Sequence, residues 1–401
     1  MFVTGFPTPS ETFICDQITG MAARGCDITI FAEHGVAPPE REAGVSELAR
    51  RTQVLALPEA CMVRLGGAVQ LMAARGPKPP WKALNVVRYG RRGASLRLFF
   101  EATACINHPP FDVVHCHFGP NGIRAAALRE IGAIRTRVLL TSFYGYDVSE
   151  FIRRRNPYSR LFRQGDWFLP LSEAMSQRLA SIGCPEERIL IHRLGVTPAS
   201  FPARALRGGG PVQIVSIARL VEKKGLEYGI RAVARVAKAR GDALRYNIVG
   251  EGPLRPGLED LVRSLGLEGV VKLTGWHDRA AVRLDIAKAD ILLAPSVTSQ
   301  TGDEEGTPTA VLEAMGSGLP VVSTFHGGIS ELVDDGVSGI LVRERDTEAT
   351  ASALIRLIDD AGLRRSMGLA GRDFVSKLHD IERLNDRLLE IYQEKGCFGH
   401  E

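Results

Sequence analysis

Short apolar runs alternate with longer amphipathic stretches along the chain, a rhythm that predicts strands and helices in parallel α/β layers. In the first half, MFVTG (1–5), DITIFA (27–32), DVVHCHF (112–118), RVLLTSF (137–143), WFLPLS (167–172) and RILIHRL (188–194) read as strands. Helical periods fall between them, as over residues 10–25, where Ser10 is placed to cap the start. The pattern loosens at FPARALRGGGPVQ (201–213), with three consecutive glycines, and then restarts. Strand-like runs recur at 212–218, 245–250, 270–275, 290–295, 320–324 and 339–342. Helical periods recur at about 224–240, 254–266, 278–288, 308–316, 328–334 and 346–358. Two doubly wound, Rossmann-like units are expected, residues 1–203 and 211–379, joined by a linker at about 203–211. In such folds a ligand lies across the carboxyl edges of the strands. The last amphipathic stretch, residues 380–401, is expected to cross back onto the first unit.

A chain of 401 residues exceeds one typical core, which agrees with two units. With 45% apolar and 24% charged residues, it has the composition of an ordinary globular protein. The formal charge of +4 does not call for nucleic acid. No apolar run approaches the ~18 residues that would cross a bilayer, and no signal-peptide pattern opens the chain. The seven cysteines lack CxxC spacing and read as reduced core thiols. A cytoplasmic protein is expected. Two basic stretches, 75–100 and 152–163, mix Arg and Lys with Trp, Tyr, Phe and Leu. They fit either a solvated basic face or a patch resting on an anionic membrane surface.

The chemistry concentrates at EEGTPTAVLEAMGSGLPVVST (304–324). Thr307 can cap a helix whose first position is Pro308, and Gly316 and Gly318 end it. Glu313 is the only charge in that helix, and a buried carboxylate needs a partner. Free N–H groups and the positive dipole end at the helix start suit a phosphate. Glu305 lies in the loop on the other side, so two acceptors flank an anion site. A nucleoside diphosphate-sugar fits this layout, with ribose at Glu313 and sugar near Glu305; a structural arginine beside Glu313 is the competing explanation. Arg219 and Lys224, at the carboxyl edge of the next unit's first strand, suit the diphosphate, whereas Lys223 reads as an ordinary surface lysine. The turn VGEGPLRPG (249–257) brings Gly250 and Gly252 close to a ligand, but its spacing is not that of a dinucleotide fold.

The motifs ARLVEKKG, IVGEGPLR, LTGWHDRAAV, ADILLAPS and EEGTPTAVLEAMGSGLPVVST resemble the donor domain of the retaining glycosyltransferase family 4, with its GT-B fold. FPTPSETFI, DVVHCHFGPNG, TSFYGYDVS and HRLGVTPASF extend the resemblance to members acting in exopolysaccharide and colanic-acid-type assembly. The resemblance implies a catalytic set of His117, Glu305, Arg219 and Lys224. It places the nucleotide sugar on Gly5, Arg219, Lys224, Gly250, Gly252, Gly306, Thr307, Pro308, Thr309 and Glu313. His117 would touch the transferred sugar. Glu11, Tyr144 and Asp147 would face the acceptor, Tyr144 standing where many relatives have histidine.

These residues imply transfer of a sugar, with retention, from a nucleoside-diphosphate sugar to a hydroxyl of a saccharide acceptor that is expected to be lipid-linked. The chain has no D-x-D stretch, so no metal bridge to the diphosphate and no cofactor are expected. Two rivals fit parts of the pattern: a nucleotide-sugar epimerase of the same fold, which would consume donor without acceptor, and a non-catalytic nucleotide-sugar-binding subunit.

Overall fold

The computed structural model describes residues 1–8, 11–35, 43–55, 57–58, 60–74, 80–153, 156–197 and 209–396. The strands are β1 (Phe2–Phe6), β2 (Phe31–Gly35), β3 (Gln53–Val54), β4 (Phe111–His117), β5 (Thr136–Phe143) and β6 (Trp167–Pro170) in the first half. β7 (Val212–Ile217), β8 (Leu244–Val249), β9 (Val271–Gly275), β10 (Ile291–Ala294), β11 (Val321–Thr324) and β12 (Gly339–Val342) follow in the second. They form two six-stranded parallel sheets, ordered β3-β2-β1-β4-β5-β6 and β12-β11-β10-β7-β8-β9. Each sheet reverses direction of build once, between β1 and β4 and between β7 and β10, which opens a crevice at the carboxyl edge of that point. Strands buried on both faces explain why these runs are continuously apolar instead of alternating.

Boundaries move by a few residues, for local reasons. β2 begins at Phe31, because its ladder with β1 starts at Phe2 opposite Phe31. The run at 188–194 is extended but makes only one bridge, Ile189 to Phe168, with Leu190 and His192 N–H donating to the carbonyls of Phe168 and Pro170. A helix at Ala361–Leu378 escaped the periodicity; its three glycines interrupt the apolar stripe, and Gly368 lies against the Gly318 carbonyl. Ser10 and most of the expected linker lie outside the described residues.

The helix Ile381–Gly396 returns to the first sheet. Leu388, Ile391 and Tyr392 join the core formed there by Ile14, Ile18 and Met21. Gly20 admits this approach, since a Cβ there would meet the Asn385 side chain at 2.0 Å. The return strap pairs with the outgoing chain: Val196 N–H donates to His379 O, and Ile381 N–H to Val196 O, both at 2.9 Å. The two halves also clasp directly. Arg178 pairs with Glu304 at 2.7 Å, and Arg279 forms a two-pronged bridge to Asp16 at 2.6 and 2.5 Å. Glu331 accepts from the free amides of Glu173 and Ala174, capping the helix Glu173–Ser181 from across the junction. Cys105, Cys116 and Cys184 are buried free thiols, and Cys26 is a half-buried one.

Candidate active site

A cleft of about 810 Å³ lies between the two sheets. Its second-half wall is built from strand-to-helix turns. Arg219 follows β7, Gly250 follows β8, Trp276 and His277 follow β9, and the loop after β10 leads into the helix Thr309–Gly316. Its first-half wall carries Glu11, Thr12 and Phe13 at the start of the helix Thr12–Ala23, together with Phe118, Tyr144 and Tyr146.

The opening of the helix 309–316 differs from expectation by one residue. Pro308, not Thr307, is the cap: its backbone is extended, and its carbonyl accepts from Val311 N–H at 3.0 Å. Thr307 makes no capping hydrogen bond. Thr307, Pro308, Thr309 and Ala310 all line the cleft, so the positive end of the helix faces it. Glu313 lies one turn further in, ~6 Å along the axis. Burial pushes its carboxyl up to about 7, against the pull of Arg279 and Arg283.

Glu305 is buried and pairs with Lys224 at 3.0 Å. Burial opposes its ionisation, yet Lys224 and Lys223 outweigh that and hold the carboxyl below the usual range. Its backbone is fixed too. Glu305 N–H donates to His326 Nε2 at 3.0 Å, so His326 carries its proton on Nδ1 and donates to Glu344 at 2.6 Å. Lys223 proves to be part of this group. It is buried, lines the cleft and pairs with Asp303 at 2.9 Å, where the sequence had suggested a plain surface lysine.

Glycines let the loops meet. A Cβ on Gly250 would stand 1.9 Å from Ala218 O, and one on Gly252 2.5 Å from Leu220 O. Gly306 is wedged between the halves, where a Cβ would meet Tyr144 O at 2.0 Å, while Gly328 abuts Gly306 O. Gly252 and Gly306 therefore sit just behind the cleft wall and shape it without lining it.

Gly5, Asp147 and His117 also stand outside the cleft lining. Gly5 lies inside β1, opposite His34, and does not line the cleft. Asp147 is wholly buried; its carboxylate accepts from the amides of Gly119, Tyr144 and Gly145 at 2.9–3.0 Å, so it holds the Tyr144 turn in place. His117 is buried behind Tyr144, with Nδ1 2.7 Å from the tyrosine hydroxyl and its ring stacked on His115. The Tyr144 ring lies parallel to the His117 imidazole, with centroids 6.0 Å apart. Burial pulls the His117 imidazole down to about 3, so it is neutral. Tyr144 itself lines the cleft between Phe13 and Phe118, with ring centroids 4.9 and 4.8 Å away. Glu11 lines it as well; burial pushes its carboxyl up to about 7, against Arg219.

Two parallel six-stranded sheets facing one cleft, with a helix start and several carboxylates and cations in its lining, are the arrangement of the GT-B class. Comparison with known proteins agrees. Residues 10–200 match the model of glycosyltransferase family 4, and residues 211–360 that of the glycosyl transferases group 1. The WcaL protein of Salmonella typhimurium, assigned to colanic acid biosynthesis as a glycosyltransferase, is 38% identical over 98% of both chains. The amylovoran biosynthesis glycosyltransferase AmsK of Erwinia amylovora is 37% identical over 89% of each. Among solved structures, Anabaena HepE in complex with UDP and glucose superposes with a TM-score of 0.70 at 17% identity over 98% of both chains. Sucrose-phosphate synthase of Thermosynechococcus elongatus gives 0.72 at 17% identity over the whole of both. The chain belongs to the group 1, family 4 glycosyltransferases and is a transferase enzyme of GT-B fold.

Proposed function

We propose that this enzyme moves a sugar from a nucleoside-diphosphate sugar to a hydroxyl of a saccharide acceptor in exopolysaccharide assembly, with retention of configuration. The observation that carries this reading is the cleft itself, where Glu305 and Glu313 stand on either side of the helix start at Thr309, Glu305 against Lys224 and Lys223 and Glu313 beside Arg279 and Arg283, with Arg219 in the same lining. The diphosphate lies over the helix start and the cations. Glu313 accepts from the ribose hydroxyls, and Glu305 lies by the sugar. The WcaL and AmsK relatives support the biosynthetic setting.

In the reaction the anomeric C–O bond to the diphosphate breaks, a C–O bond to the acceptor oxygen forms on the same face, and the acceptor proton passes to the departing phosphate. Arg219, Lys224 and the helix dipole stabilise the charge that gathers on that phosphate. They are set before the substrate arrives, so little reorganisation is needed. Glu305, ionised beside Lys224, orients that lysine and the sugar hydroxyls and need not attack. On the opposite wall, Glu11 and the Tyr144 side chain, steadied by Asp147 and His117, receive the acceptor.

The acceptor is read as lipid-linked, presented at the cytoplasmic face of an anionic membrane. Residues 60–100 contain eight Arg and Lys and no Asp or Glu. In the same stretch Met62, Val63, Leu65, Val69, Trp81, Val86 and Val87 are exposed, Met62 by 79% and Val87 fully. Arg160 of the second basic stretch joins this face, lying over the Tyr89 ring. Cations near an anionic surface contribute ~1 kcal/mol each, and exposed apolar side chains add to that. No helix among the described residues is long and apolar enough to cross a membrane, so the association would be peripheral.

The test is a screen of nucleotide sugars for nucleoside diphosphate release, with a membrane extract as acceptor. One donor should be consumed only when extract is present, with its sugar recovered in the acceptor. Consumption without extract, yielding an isomerised nucleotide sugar, would reject the reading.

A further inference from the structure

We infer that Tyr392, on the last helix, is a positioning residue for Tyr144 on the cleft wall, acting through His115 and His117. This rests on the acceptor reading above and adds the group that holds its aromatic wall from behind. Tyr392 belongs to the helix Ile381–Gly396 and lies outside the cleft lining. Its ring is buried, so its hydroxyl requires a partner, and any backbone carbonyl would meet that requirement. The partner is instead the His115 imidazole, with Nδ1 2.6 Å from the hydroxyl and the two rings edge to face at 5.8 Å.

From His115 a row of buried polar groups runs to the cleft. His115 and His117 are two residues apart on β4 and therefore share a face of the sheet. Their rings stack with centroids 4.6 Å apart. His115 Nε2 lies 2.7 Å from Ser142 Oγ, and Ser142 is the β5 residue paired with His117. His117 in turn places Nδ1 2.7 Å from the Tyr144 hydroxyl, while its Nε2 meets no partner among the described residues. The His117 ring is thus oriented by the stack on one side and by the phenol on the other. Burial keeps both imidazoles neutral, so each ring has one nitrogen that donates and one that accepts. Whichever nitrogen of His115 carries the proton, the Tyr392 hydroxyl is needed at Nδ1. Deleting it leaves a buried ring nitrogen unpaired and the ring with Ser142 as its remaining hydrogen bond.

The helix holds that hydroxyl in place by contacts on both sides of it. Leu388 and Ile391 are buried in the core of the first sheet beside Tyr392, and Asn385 lies against Gly20. Beyond Tyr392, Lys395 lies over the Trp167 ring, 4.3 Å from its centroid. Loss of the hydroxyl therefore leaves the helix where it is and acts on His115. At the other end of the row, Tyr144 lines the cleft and its hydroxyl is held by His117. A turn of the His117 ring moves that phenol and with it the wall that the acceptor meets. The helix start at Thr309 and its cations take no part in the row, so the donor end of the reaction is left as it was.

The experiment uses the full chain and a double-mutant cycle of Tyr392→Phe and Tyr144→Phe. Sugar transfer from the donor that the wild type consumes is measured against the amount of membrane extract, and UDP and GDP are titrated by calorimetry. Tyr392→Phe should raise the amount of extract at half-maximal transfer about 5-fold, as loss of one buried hydrogen bond does, with nucleoside diphosphate affinity within about 2-fold of the wild type. Tyr144→Phe should raise it as well, and the double variant should be no worse than Tyr144→Phe by itself, because Tyr392 acts through that hydroxyl. A wild-type extract requirement in Tyr392→Phe, losses that multiply in the double variant, or a parallel loss of nucleoside diphosphate affinity overturns the inference and leaves the donor reading standing. An unchanged requirement in Tyr144→Phe overturns the acceptor reading together with the inference. A wild type that transfers no sugar to extract from any donor overturns the proposed function itself.

Discussion

Lys224 and Glu305 form a pair that is mostly hidden from water, and each is costly without the other. Lys224→Ala should lower turnover by about 10²- to 10³-fold, as loss of a group facing the developing charge does. It should also lower the melting temperature, because Glu305 is left uncompensated. The double variant Lys224→Met, Glu305→Gln should recover the melting temperature but not the turnover; recovery of both would mean that the pair is only structural. Glu313 makes a different prediction, through pH. Its folded pKa, near 7, lies above the ordinary value of 4.5, so the folded chain holds a proton there that the unfolded chain has released. Between about pH 4.5 and 7 this group removes stability as pH rises. On the proposed reading nucleotide binding goes the other way, since there the ionised form accepts from the ribose hydroxyls. Affinity for the nucleoside diphosphate should climb from pH 6 to pH 8, and Glu313→Gln should flatten that slope; an unchanged slope would assign it to another group.

At the scale of elements, the site is made from turns and not from the faces of strands or helices. This decides what the sequence could show. Glu305, Arg219, Lys224 and Gly250 were legible because each sits on a strand-to-helix turn, and Thr309 and Glu313 because they stand in the first turns of the helix that such a turn opens. His117 and Asp147 also stand near strand ends, but Tyr144 covers one and three backbone amides engage the other, and neither fact is local. Gly5 was misplaced for want of the β1 boundary. Lys223 was missed because its partner, Asp303, lies in the loop after β10. The junction of turns gives a test of its own. Gly306→Ala would drive a Cβ into Tyr144 O and part the two halves there. Transfer should fall steeply while nucleoside diphosphate affinity, which the proposed site assigns to the second half, stays near the wild-type value. Equal loss of both would show that the wedge supports the nucleotide site directly.

For the whole molecule, the two sheets present one cleft, and the first half presents one basic, partly apolar face on which Arg88 and Arg160 share Glu130. The duplicated strand rhythm was legible in the chain, which offered the crossing back of the last helix only as an expectation and gave no sign of the clasps Asp16–Arg279 and Glu331 on the helix Glu173–Ser181. The face predicts that the protein sediments with vesicles containing anionic lipid at low salt and leaves them as salt rises past the range where surface charge is screened. Replacing the exposed Met62 and Val87 by Asp should abolish sedimentation without changing nucleotide affinity. Binding equal to the wild type would move the membrane contact elsewhere.

The claim on which the rest depends is that the two glutamates span a nucleotide sugar laid over the helix start. It is tested most directly by transfer of a labelled sugar from the matching donor to membrane acceptor, in the wild type and in Glu313→Ala. Loss of two charge-assisted hydrogen bonds from ribose predicts a fall in kcat/KM of about a hundredfold or more, in a protein that keeps its melting temperature. Transfer by Glu313→Ala at close to the wild-type rate would contradict the account.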